Sequence, residues 1–531
     1  MLGEMIITGK DWIITACLLA GLLLVSFAAR RFTKGVADFT IAGRKLRMWL
    51  GLSAASADGI ALVSIVNASE QAFTKGFSFA WLMFFSMLIT VPVIGLLGFG
   101  LKRYRATNVQ SLPQYYEMRY SKGVRILAGI AIATGGVLNM AVFPKIAADF
   151  LSYFLAFPAS WHVGGIDIPT SYLIMGLLLT TALYFVLTGG FVTVVATNYI
   201  QSLIMSVAII AITFICLVKF GGTGVFDTIE KIHDQLGRTR GEAAFNLFAE
   251  GGYGFLWFLF FPIQRVLIVL SFPPSLVMTQ GAETPEVARK MYLISEIFGS
   301  GRYFCILIWG AAALAVMGTM IPDGMSATDY HKVVTPMFLH KIIPPGLLGV
   351  VLAGFIFAEI STLSTYILSW STIIVNDVVC SIKKTYFTGK QHILVLRITI
   401  FLVAVFLFCW GLYFKQQESI LDYLYLTGAI FTGGGIICFF GLYWKRTSTA
   451  AAYAALAVSM IIPLADLLLK QHWQKIAFLT QYSDKYPLKS HESGILTYAL
   501  AVISLMVFSL LSRKPTHFVD FGKKLKAMKT P

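Results

Sequence analysis

Apolar runs of about 20 residues recur from one end of this chain to the other, and no other feature constrains the fold as strongly. A run of that length makes a helix that crosses the hydrocarbon core of a bilayer. With no water there, the backbone must satisfy its own hydrogen bonds, which leaves helices as the spanning element for runs like these. The chain is 57% hydrophobic and only 13% charged, where a soluble domain carries roughly a quarter charged residues. The expectation is an all-α polytopic membrane protein of about thirteen transmembrane helices. They are expected over 11–29, 47–70, 78–101, 124–157, 170–188, 193–220, 255–278, 303–321, 345–378, 394–414, 420–442, 449–469 and 495–511. The segments 221–254, 470–494 and the tail after 512 are too short for a separate soluble core.

A net charge of +16 raises the question of a nucleic-acid partner, and its distribution answers it. Lys and Arg gather in "ARRFTKGVADFTIAGRKLR", "LKRYRATNV" and "SRKPTHFVDFGKKLKAMKTP", all on one side of the expected helices. The positive-inside rule then puts the N-terminus outside and the C-terminus in the cytoplasm, with no nucleic acid needed. The first run has Glu4 and Lys10 before it, and "SFAARR" in place of a clean cleavage site, so it reads as a retained helix. Cys17, Cys216, Cys305, Cys380, Cys409 and Cys438 lie within or at the ends of helices without metal-like spacing and read as small apolar fillers.

Two of the runs are interrupted. "SAASADG" (53–59) places small and polar residues in the second, and the seventh contains Pro262 and then Pro273-Pro274. Proline removes a backbone donor and glycine makes an unwound turn cheap. Such breaks are tolerated at membrane depth where they line a cavity or lie buried in protein. Each broken helix is followed by four more. This predicts two five-helix repeats, 47–220 and 255–442, in the manner of inverted-repeat transporters with binding at the midplane. Residues 1–46 add an extra helix and a basic cytoplasmic loop, and 443–531 add two C-terminal helices and a basic cytoplasmic tail.

The ninth run, "VLAGFIFAEISTLSTYILSWSTIIVND", carries Glu359 and the hydroxyls of Ser361, Thr362, Ser364 and Thr365 where there is no water. Ala358, Ser361 and Thr362 stand at i, i+3 and i+4 and share one helix face. A set of neutral oxygens can replace the hydration shell of a small alkali cation. The competing reading is that these hydroxyls bond back to their own helix. Three other groups stand out. Glu359 must be paired, protonated or next to a cation at such depth. Lys145 stands four residues before Asp149 and either pairs with it or holds a substrate carboxylate. Arg265, between the prolines, is a second candidate for that carboxylate.

"DFTIAGR" (38–44), "SLPQYYEMRY" (111–120), "YFVLTGGFVTVVATNYIQ" (184–201) and "PPGLLGVVLAGFIFAEISTLSTYILSWSTIIVND" (344–377) occur in order. In these the chain resembles the sodium:solute symporter family over roughly residues 36–450. The resemblance implies a leucine-transporter-type 5+5 inverted-repeat core and a bacterial inner membrane protein. It implies sodium-coupled import of a small organic solute such as an amino acid, sugar or carboxylate. Residue by residue, it makes Ser361 and Thr362 side-chain sodium ligands and Ala358, Ser56 and Gly59 carbonyl ligands, with Asp58 in a supporting place. Solute specificity would come from the second, third, seventh and eleventh helices. The sequence departs from the family in three places. Asn198 stands where some members have an acid for a second sodium, which points to one ion per cycle. "FPPSLVM" (272–278) lacks the family's arginine, and Glu359 stands at a usually apolar place. Proton coupling through Glu359 or Asp58 is an alternative, as is a transporter-like solute sensor. An enzyme is disfavoured, because no nucleophile with a positioned base is found.

Overall fold

The computed structural model describes residues 7–33, 35–44, 46–49, 51–52, 60–235, 245–248, 252–383, 387–414, 419–473, 486–512 and 519. Among them, ten helices are long and apolar enough to cross a membrane, eleven if one bent pair is a single span. The expected thirteen are therefore not matched one for one, for reasons that lie in particular segments.

α1 (Gly9–Ala29) opens on a capping box between Thr8 and Asp11. The second expected helix runs through 53–59, which lies outside the described residues. Helix resumes as α2 (Leu62–Lys75) after Ala61 in extended backbone, and α3 (Ser78–Thr90) follows. α4 (Lys122–Met140) and α5 (Phe143–Phe154) together form the expected fourth span. A hairpin of β1 (Ser160–Val163) and β2 (Ile166–Pro169), turning through Gly164-Gly165, leads onward.

The fifth and sixth expected helices are one run, α6 (Thr170–Lys219), bent where Gly190 takes φ 58° and ψ −144°. A Cβ there would stand 2.6 Å from the Phe39 ring, so the bend needs glycine both for its backbone and for its space. The seventh is the bent pair α7 (Gly254–Val269) and α8 (Pro273–Gly281), at 46° to one another. The break expected near the prolines is thus present, at Pro273-Pro274. Pro262 sits within α7 without ending it.

α9 (Pro285–Met317) begins well before the expected 303, because it carries Arg289, Lys290, Glu296 and Arg302 and does not read as apolar until its second half. α10 (Ala327–Ile342) is a helix the apolar-run criterion did not select. α11 (Leu347–Ile373), α12 (Gly389–Tyr413), α13 (Ile420–Tyr443), α14 (Thr449–His472) and α15 (Ser490–Leu511) complete the chain. Ser121, Thr284, Ser326, Thr388, Ser419 and Ser448 each accept a backbone N–H of the first helical turn that follows. Such caps satisfy donors that a helix start otherwise leaves bare.

α11 and α13 form the centre: 83% of the most apolar window of each is buried, against 22% for α1 and 28% for α12. α11 lies along α6, and α9 lies on α2 closely enough that a Cβ on Gly310 would strike the Ser69 carbonyl. Three buried acids tie these helices end to side. Asp11 accepts the N–H groups of Gly346 and Gly349 at the start of α11, both at 2.8 Å. Glu359 in α11 accepts the N–H of Leu62 at the start of α2 at 3.1 Å. Glu70 in α2 accepts the N–H of Ile420 at the start of α13 at 3.3 Å. A helix N-terminus carries partial positive charge and bare donors, which is why a carboxylate is stable there.

Candidate functional site

The hydroxyls of α11 are satisfied in several ways: Ser364 donates to the Ala182 carbonyl on α6 at 3.4 Å, and Ser371 Oγ is buried with no hydrogen-bond partner among the described residues. Thr365, Ser369 and Thr372 donate to carbonyls one turn back, at 3.0, 2.7 and 2.7 Å, so for them the self-bonding alternative holds. Ser361 and Thr362 do otherwise. Ser361 donates to Asn198 Oδ1 on α6 at 2.8 Å, which leaves its oxygen lone pairs available. Thr362 Oγ1 is buried with no hydrogen-bond partner among the described residues. A buried hydroxyl without a partner costs about 1–3 kcal/mol unless something else binds it. Ala358, Ser361 and Thr362 are each 2% exposed or less, so this oxygen-bearing face is sealed in protein.

Glu359 is fully buried beside that face. Its Oε2 holds the Leu62 N–H, and its Oε1 has no hydrogen-bond partner among the described residues. The acid that looked out of place on α11 therefore docks the resumed half of the broken helix onto the helix bearing Ser361 and Thr362. Ser56, Asp58 and Gly59 lie outside the described residues. Gln201, one turn beyond Asn198, is buried with neither amide atom partnered among the described residues. Sequence reasoning quoted it in "TNYIQ" without giving it a role.

A cavity of about 360 Å³ opens between α2, α3, α4, α7, α8, α9, α11 and α13. The second, third, seventh and eleventh expected helices all contribute to its wall, through residues such as Asn67, Met83, Gln264 and Tyr425. Arg265 is in this wall and is already paired, its Nη2 donating to Glu296 Oε1 at 2.9 Å. Glu296 also accepts from the Thr90 hydroxyl at 3.1 Å. It went unnoticed because its helix was expected to start after it, although a lone acid in "YLISEIFGS" is the same signal that flagged Glu359.

Lys145 lies elsewhere, in a second cavity of about 430 Å³ with Asp149, Asp323, Asp329 and Lys332. Lys145 Nζ reaches both oxygens of Asp149, at 2.5 and 2.6 Å, so the pairing alternative is the one found. Burial pushes the nearby Lys332 ammonium below its usual pKa, against the opposite pull of Glu70, Asp329 and Asp149.

The profile of the sodium:solute symporter family matches residues 39–459. The chain belongs to that family. It is a sodium-coupled importer of a solute, a multi-pass membrane protein whose transported cation is Na⁺. The sodium/proline symporter of Escherichia coli K12 is 22% identical over 95% of this chain and 94% of its own length. The high-affinity proline transporter PutP of Bacillus subtilis is 23% identical over 94% of this chain and 97% of its own. The sodium/myo-inositol cotransporter 2 of pig is 23% identical over 69% of this chain and 56% of its own. Among solved structures, a Na⁺-coupled sialic acid symporter in a substrate-bound outward-open state superposes with a TM-score of 0.76 at 16% identity. That match covers 96% of this chain and 99% of the other. The fold of this symporter is accordingly of the leucine-transporter type.

Proposed function

We propose that this symporter carries one Na⁺ per cycle. The ion would be held by the Ser361 and Thr362 hydroxyl oxygens and the Ala358 carbonyl on α11, with the carbonyls of Ser56 and Gly59 from the break before α2 and Asp58 in support. The observation that carries this reading is the buried Thr362 Oγ1, which has no hydrogen-bond partner among the described residues, beside a Ser361 whose proton is taken by Asn198. Two hydroxyl oxygens on one sealed face then present lone pairs to a hard cation. The charge of the ion would also offset the Glu359 Oε1, which has no hydrogen-bond partner among the described residues.

Coupling follows from where the ion would sit. An ion bridging the break before α2 and the face of α11 favours the arrangement in which both segments close on the central cavity, where the solute binds. Solute binding then tightens sodium by the same factor. Glu359 contributes by holding the Leu62 N–H, which fixes the start of α2 against α11. One charge crossing about 100 mV down a tenfold gradient supplies about 3.7 kcal/mol, enough for a several-hundred-fold accumulation of a neutral solute. The two five-helix units, 47–220 and 255–442, would rock about this centre. The basic segments orient the chain with its N-terminus outside and its C-terminus in the cytoplasm of a bacterial inner membrane.

The experiment is a thermal-shift titration of purified protein with NaCl against KCl, for the wild type and for Thr362→Val. Wild-type stabilisation by sodium alone, lost in the variant, is the expected result. An unchanged sodium response in Thr362→Val would remove this site.

A further inference from the structure

The central cavity contains charge, but none that is left over. Arg265 and Glu296 face one another across 2.9 Å. No other Asp, Glu, Lys, Arg or His is in the wall among the described residues. Around this pair are polar atoms without hydrogen-bond partners among the described residues: Asn67 Oδ1, Gln264 Oε1 and Ser295 Oγ. Gln264 is 1% exposed and Asn67 7%, so solvent does not readily satisfy them. The two amide oxygens can only accept, and the serine oxygen can do either. Aromatic rings complete the wall, with Phe272 in edge contact with Tyr366 at 5.2 Å and tilted against Phe431 at 5.6 Å.

On the reading that this cavity is the solute site, we infer that its solute is an uncharged polyol, rich in O–H donors, and that Glu296 is the residue that excludes carboxylates by occupying Arg265. A free guanidinium in a cavity at membrane depth would draw an anion; a guanidinium already paired does not. Two buried acceptors without donors select a partner that brings its own, because a solute lacking them leaves both unsatisfied. The rings take the apolar face of such a solute.

The test uses the full chain in detergent with NaCl and three probes: myo-inositol as polyol, L-proline as zwitterion and L-lactate as carboxylate, read by thermal shift and by isotope uptake into proteoliposomes. Sodium-dependent stabilisation by the polyol, with none by lactate, is the expected wild-type result. Glu296→Gln frees Arg265 and is expected to raise the response to lactate about tenfold or more. Combining it with Arg265→Gln removes both charges and is expected to abolish that gain. The double variant therefore separates an unmasked cation from a generally loosened site. Wild-type stabilisation by lactate or by L-proline in preference to the polyol overturns the inference, as does the absence of stabilisation by the polyol. A lactate gain that survives in the double variant, or a Glu296→Gln protein that folds and shows no gain, also overturns it. Sodium stabilisation measured without solute is unaffected by these outcomes, so failure here is distinguishable from failure of the sodium site.

Discussion

Two clusters of polar side chains in this symporter differ in what is left over. In the second cavity, Lys145 and Asp149 satisfy one another one helical turn apart, with side chains about a third exposed. On α11, Thr362 Oγ1 has no hydrogen-bond partner among the described residues and Ser361 gives its proton to Asn198, both on a face closed to solvent. The first cluster has the more charge and the less capacity to bind. Charge that is locally matched and wet contributes little, whereas uncharged oxygens held dry without a partner carry a free-energy deficit that a bound cation would remove.

The strongest way to break that contrast is to remove both α11 oxygens. Ser361→Ala with Thr362→Val is expected to weaken apparent sodium affinity by about a hundredfold or more, taking about 1.5–3 kcal/mol for each contact to a charged partner. Sodium-dependent uptake into proteoliposomes reads this directly, and a near-normal sodium curve would place the ion elsewhere.

Glu359 provides the next largest effect. Glu359→Leu strands the Leu62 N–H and is expected to cost about 1–3 kcal/mol of stability, while Glu359→Gln keeps an acceptor there and costs less. Melting temperatures of the two variants should separate; if they coincide, the contact to Leu62 is not what holds these helices together.

Asn198 is a positioning residue in this scheme, because it orients the Ser361 hydroxyl without touching the ion. Asn198→Ala is expected to weaken sodium by about tenfold or less, and Asn198→Gln to restore part of the loss. A variant with altered maximal uptake but an unchanged sodium curve would contradict that role.

The smallest effect belongs to the second cavity. Lys145→Ala is expected to change stability by no more than about 0.5 kcal/mol after solvent screening and to leave uptake unaltered. Loss of uptake would return Lys145 to the solute-holding role that its sequence context allows.

What could be read beforehand follows from these same residues. The Lys145–Asp149 pair was legible because its partners are four residues apart on one helix, where spacing alone brings them together. The break at Pro273-Pro274 and the shared face of Ala358, Ser361 and Thr362 were legible for the same local reason. The early start of α9 was not, because its first half carries charges that a hydropathy reading takes for a loop. The Arg265–Glu296 pair was hidden with it.

The sequence by itself determined that the chain is a helical membrane protein and that Glu359, an acid in an apolar run, needed an explanation. Isolated carboxylates in apolar helices announce a cost, and that cost depends only on local composition. Only the tertiary structure decided how each is met. Asp11, Glu359 and Glu70 bind helix starts 335, 297 and 350 residues away. Such partners are chosen by packing, and no periodicity along the chain encodes which distant helix start will arrive beside a given side chain.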